Sequence, residues 1–143
     1  MKQKIVLQPI GTVRGNAIQI HTRWAKGLEG IEGFSHILVL FWLHRAKKPA
    51  LRIHPKGFRE LPRRGFLATR TPHRPNPIGL TVVKLLKRRG SKLWVKGLDA
   101  WNDTPILDIK PYTKKDSIKQ FRIPAWVHQL DRLESDPLRR YGG

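Results

Sequence analysis

Apolar positions alternate loosely from Ile5 to Arg14 and are interrupted by Pro9 and Gly11, which predicts a strand with an irregularity near its middle. A Gly15-Asn16 turn leads into a second short strand, Ala17–His21. Gly27, Gly30 and Gly33 then recur every three residues, a spacing poor for a helix interior, so a looped or briefly turned segment is expected, with Leu28 and Ile31 facing inward. His36–His44 is a near-continuous apolar run. Periodicity does not separate a buried strand from a short buried helix, but β-branched and aromatic content and the preceding glycines favour the strand. Residues 45–64 are basic and broken by Pro49, Pro55 and Pro62, which predicts a long irregular connection over a site or against nucleic acid.

Strand-like runs Gly65–Thr69 and Ile78–Leu86 flank a proline-rich loop, and Leu93–Leu98 completes a hairpin through the basic tip Lys87–Lys92, which holds Gly90. Thr104–Ile109 follows an Asn102-Asp103 turn and stops at Pro111. A helical pattern emerges only at the end, where Pro124 suits a first helical position and Trp126, Leu130 and Leu133 fall at i, i+4 and i+7. The tail RRYGG is expected to fray. Many short strands with almost no βαβ rhythm predict one mainly β domain over residues 1–143, an antiparallel barrel or sandwich with short helical segments and a C-terminal helix.

A chain of 143 residues buries ~68–70% of its unfolded surface, enough for a core without staples. The absence of Cys excludes disulfides, iron–sulfur clusters and thiol catalysis, and fits a reducing compartment. The longest apolar run, Ile37–Leu43, has seven residues against the ~20 of a membrane-spanning helix. Because MKQKIVLQP also lacks a signal-peptide core, a cytoplasmic protein without a membrane segment is expected. Charge changes the picture most: Lys and Arg number 29 against 10 acids, a net +19 with pI ≈ 11.3. Such a field attracts polyanions, nucleic acid first, although a solvated basic surface has the same composition, and charge does not separate RNA from DNA.

The candidate chemistry gathers in Arg63–Leu86, RRGFLATRTPHRPNPIGLTVVKLL, where Pro72, Pro75 and Pro77 fall within six residues and forbid a helix. A stiff loop holds Arg70, His73, Arg74 and Asn76 ready for an anionic or nucleotide-like ligand; a rigid turn with solvated cations is the plainer reading. His44 and Arg45 stand at the polar exit of a strand, where a lone His is more often structural than catalytic. Three of the ten acids lie between Asp99 and Asp108. Asp99 suits ribose hydroxyls or a turn equally, Asp103 favours turn chemistry, and Asp108 alternates within a strand. The six histidines show no HxH or HExxH spacing, so no metal is expected. Neither a GxSxG elbow nor the Walker or dinucleotide glycine motifs occur, so a Rossmann-type methyltransferase is excluded.

ATRTPHRPNPIGL resembles the ATRS-x-x-RPNPIG signature of the TrmO family, also called YaeB-like proteins. GLEGIEGFSHILVLFWLH, GLDAWNDTPILDIKPY and IGTVR agree with it in the family's order, and together they cover roughly residues 5 to 112. The resemblance implies a β-barrel, homodimeric methyltransferase that uses S-adenosyl-L-methionine on the exocyclic nitrogen of threonylcarbamoyladenosine beside the tRNA anticodon. Carried over by position, cofactor contacts fall on His44, Arg45, Arg70, Leu80, Lys96, Gly97, Leu98 and Asp99. In that reading Arg70 pairs with the cofactor's carboxylate, Asp99 accepts from its ribose and Leu80 packs on adenine. His44 or Asp103 is the candidate base, and Arg74 and Asn76 grip the substrate. A non-catalytic RNA- or cofactor-binding module of the same fold is the alternative. Residues 15–26 are too short for the cofactor segment of longer members, Asn102-Asp103 replaces the usual Asp-Gly turn, and the longer members' C-terminal domain is not expected, so altered tRNA selection is a corollary.

Overall fold

The computed structural model describes residues 3–46 and 48–136; the RRYGG tail lies outside them. In chain order the strands are β1 (Gly11–Arg14), β2 (Ala17–Ile20), β3 (His36–Trp42), β4 (Arg52–Ile53), β5 (Arg64–Gly65), β6 (Ile78–Arg89), β7 (Lys92–Lys96) and β8 (Pro105–Pro111), followed by helix α1 (Ala125–Ser135). The chain divides into two compact units, and the first takes in β1–β3 and β6–β8.

These six strands close into an antiparallel barrel in the order β1-β2-β7-β6-β3-β8. The barrel expected from the sequence is therefore present, rather than a sandwich. Its interior is filled by alternate residues, among them Val13, Ile18, Ile37, Val39, Val83, Leu93 and Ile106, all buried. Each such side chain contributes about 1.5–3 kcal/mol relative to exposure. β3 is the central stave, paired with β6 on one side and β8 on the other. That position explains its apolar run: Ile37, Val39 and Phe41 point inward, while Leu38, Leu40 and Trp42 are half-buried outside. Leu28 is buried and Ile31 packs against the core, as expected.

β6 serves two ladders. Its first half pairs with β3 from Trp42↔Ile78 to His36↔Lys84, and its second half pairs with β7 from Lys84↔Lys96 to Arg89↔Lys92. Gly79 lies opposite Phe41, and a Cβ there would stand 2.3 Å from the aromatic ring. Only glycine fits beneath a ring that fills the barrel end, which gives the PNPIG motif's glycine a packing reason.

The second unit holds the short β4–β5 ladder, the 3-10 turns Pro55–Gly57 and Phe66–Ala68, and α1. Among its described residues Pro55, Leu61 and Thr71 are buried, and α1 turns half-buried Trp126, Val127 and Leu130 to one side. Among the described residues no helix is long and apolar enough to cross a membrane.

Two local expectations need correction. The strand expected from Ile5 begins only at Gly11, and Ile5 is 83% exposed. Ile10 still bonds to Ile106 and His21, but Pro9 has no N–H to carry the ladder further, and β2 ends at Ile20, opposite Gly11. Gly65–Thr69 is a 3-10 turn after a two-residue strand, because the Thr69 N–H and hydroxyl both donate to the Phe66 carbonyl, at 3.1 and 2.9 Å. The glycine-spaced segment is briefly turned, as expected, with 3-10 turns at Thr22–Leu28 and Ile31–Gly33.

Candidate functional site

β3 ends, β6 begins and β8 begins at the same end of the barrel, as the pairings Trp42↔Ile78 and Phe41↔Ile106 require. Three segments leave the strands at this mouth: His44-Arg45 after β3, Asn76-Pro77 before β6, and Trp101–Thr104 before β8. The Leu43 N–H donates to the Pro77 carbonyl at 2.7 Å, so the exit of β3 is stitched to the proline motif. Pro77 and Pro75 leave few donors for a regular ladder there, and this bond takes its place. His44 is exposed, and its N–H donates to the Trp42 carbonyl at 2.8 Å.

The Arg45 guanidinium lies 4.7 Å from the Trp101 ring centroid. This contact joins the strand exit to the Gly97–Asp103 loop and is worth about 0.5–1 kcal/mol at an exposed site. Trp101 is 62% exposed, and the sequence reading passed over it. The signal was there: a large aromatic set between turn-forming residues has no core to fill.

Within the same loop, Gly97 takes a left-handed φ of 98° and turns the chain out of β7. Leu98 packs against the barrel core and anchors the loop, whereas Lys96 and Asp99 are exposed. Asp103 sits at φ 68°, its N–H donates to the Val13 carbonyl at 3.0 Å, and its carboxylate accepts from Arg14. The neighbouring Asn102 Oδ1 accepts from the Gly15 N–H at 2.6 Å. Asn102-Asp103 thus works as the turn that its residue types favour, locked to the β1–β2 turn. Leu80 stands on the outer barrel face opposite Leu40, 51% exposed.

The second unit carries Arg70 and Arg74. Arg74 is turned into its own loop: Nη1 donates to the Thr69 and Thr71 carbonyls at 3.1 and 2.9 Å, and the guanidinium lies 5.5 Å from the Phe66 ring centroid. The Thr71 hydroxyl accepts from the His73 N–H at 3.1 Å, and the His73 carbonyl accepts from the Ala50 N–H at 3.2 Å. The proline-rich turn is therefore braced from within. Arg70 is exposed, with no hydrogen bond or ion pair among the described residues, and lines a cleft of 1020 Å³ together with His54, His73 and, from α1, Trp126 and Leu130.

The model of the N-terminal domain of tRNA-methyltransferase O matches residues 2–117, which includes all three motif segments and the whole barrel. The chain belongs to the TrmO N-terminal domain family. An S-adenosyl-L-methionine-binding protein of Archaeoglobus fulgidus is 37% identical over 135 residues, 81% of this chain and 96% of that one. Another protein of that organism, named a probable S-adenosyl-L-methionine-binding protein, is 48% identical over 116 residues, 80% of this chain and 31% of that one. The crystal structure of TrmO from Pseudomonas aeruginosa superposes with a TM-score of 0.69 at 30% identity, over 84% of this chain and 61% of the other. This TrmO-family chain thus spans less than two thirds of the length of that crystallised TrmO and about a third of its 48%-identical relative. Helix α1 falls beyond the residues that the family model matches.

Proposed function

We propose that this TrmO-family chain is an S-adenosyl-L-methionine-dependent tRNA methyltransferase. Its acceptor is the exocyclic nitrogen of threonylcarbamoyladenosine beside the anticodon. The observation that carries the reading is the barrel mouth, where Arg45 stacked on Trp101 brings together two segments of the family signature. The residues there suit the cofactor: Asp99 is an exposed acceptor for ribose hydroxyls, and Leu80 presents an uncovered apolar face for an adenine ring.

When bound, S-adenosyl-L-methionine would supply an electrophilic methyl group, with Asp99 and Leu80 among the residues that would hold it. The chain's part is to hold the two reactants and remove one proton from the nitrogen, so positioning carries much of the rate. His44 is the better placed acceptor, since it is exposed at the mouth while the Asp103 carboxylate is occupied by Arg14. Asn76, exposed at the same mouth, offers its amide to a base edge. A homodimer, which the resemblance implies, has a suitable face in the first half of β6, where Ile78 and Val82 are 38% and 46% exposed on either side of Leu80. The cytoplasm, where tRNA is modified, is the compartment of this reading.

Calorimetric titration with the cofactor tests the site: Asp99→Ala and Arg70→Ala are each expected to weaken binding about tenfold or more, and unchanged affinity in both overturns the assignment. A non-catalytic binding module is the second reading, favoured by relatives named for binding alone. Nucleoside mass spectrometry after incubation with tRNA separates the two, because only the enzyme leaves a methyl mark that His44→Ala greatly slows.

A further inference from the structure

We infer that the outer face of the β6–β7 hairpin is a docking surface for the phosphate backbone of RNA. The inference rests on the tRNA reading above and adds where the nucleic acid lies. Residues paired across the two strands share a face, and the pairs Lys84↔Lys96, Lys87↔Trp94 and Arg89↔Lys92 put five cations around one indole on the outside. The intervening pairs Leu85↔Val95 and Arg88↔Leu93 face the other way. Leu86 stands unpaired between Leu85 and Lys87, and this irregularity is what turns Lys87 and Arg89 outward.

The sheet alone gives no reason for this arrangement. Two of the outward pairs set like charges directly opposite each other, which destabilises a ladder. None of the four ion pairs among the described residues relieves them. The hairpin's neutralised cation is on the opposite face, where Arg88 binds the Glu32 carboxylate at 2.5 Å. Backbone hydrogen bonding, and then Arg88, hold that carboxyl below its ordinary value, so the pair is charged at neutral pH. On the outer face the Lys87 and Lys92 ammonium groups lie 4.5 and 4.9 Å from the Trp94 ring centroid. The indole holds both lysine tips at the surface, so less freedom is lost when they meet phosphates. The cationic stripe runs from Lys84 to Arg89, roughly 17 Å at the usual strand rise. A polyanion laid along it releases counterions and relieves the repulsion together.

The test is fluorescence anisotropy of labelled tRNA against salt, comparing the wild-type chain with Lys84→Gln/Lys87→Gln/Lys92→Gln. The variant is expected to bind at least tenfold more weakly near 0.1 M salt, with a log–log slope shallower by about 2 to 3. Its cofactor affinity and melting temperature are expected to hold or, for melting, to rise. Neutralising Lys114, Lys115 and Lys119 instead is expected to change affinity less than threefold. Equal affinity and slope in the hairpin variant overturn the inference, and so does a loss confined to phosphatidylserine vesicles. Should the wild-type chain bind tRNA with this charge dependence but leave no methyl mark, the enzyme reading falls and the docking surface stands.

Discussion

Gly79 shows how one position carries both motif and packing. The Phe41 ring occupies the space of a side chain at residue 79, and the ring is itself buried in the core cluster. Gly79→Ala is expected to lower stability by about 1–3 kcal/mol, read as a shift of the urea midpoint with an unchanged slope. At the same scale the cations of the signature divide sharply. Arg45 stacks on an exposed indole, Arg74 binds the carbonyls of its own turn, and Arg70 lines a cleft with no ion pair or hydrogen bond among the described residues. In the one-letter sequence all three look alike. Whether a guanidinium faces a ligand or its own backbone depends on loop geometry that neither charge nor spacing encodes.

Between residue and whole molecule, the proline-rich turn illustrates how an element is held without a ladder. Its prolines withhold donors, and Arg74 supplies them from a side chain, bridging two carbonyls of Thr69 and Thr71. Arg74→Ala is therefore expected to slow tRNA methylation through a loosened turn. Limited proteolysis should show faster cleavage within Thr69–Asn76, whereas a residue that only gripped substrate would leave the cleavage rate unchanged. Elements with a strong period were legible from sequence: β3 from its apolar run, the β6–β7 hairpin from two runs around Gly90, and α1 from its spacing after Pro124. Elements without one were not. The supposed strand at Ile5 satisfies alternation but forms no ladder before Gly11. The candidate site was legible only as separate segments; that His44-Arg45 and Trp101 share a barrel end follows from strand register.

At the scale of the molecule, the outer wall of β6 changes character along its length. Its first half is apolar and exposed, and its second half is cationic. In the proposed reading this division separates the face for a second copy from the face for nucleic acid. Val82→Glu places a carboxylate in the apolar half, opposite Leu38. Sedimentation equilibrium is expected to show a dimer for the wild-type chain and a monomer for this variant, with the near-ultraviolet circular dichroism retained. A monomeric wild-type chain at micromolar concentration would remove the dimer from the proposal.

The unpaired Leu86 has a consequence for how this barrel tolerates change in length. Because it is a supernumerary residue in its strand, its removal restores strict alternation and leaves Lys87, Arg88 and Arg89 on the faces they already occupy. A one-residue loss at nearly any other point of β6 would instead invert everything downstream and drive cations into the hydrocarbon interior. The strand thus contains one spot where a codon can vanish in silence, set at the boundary between its two halves.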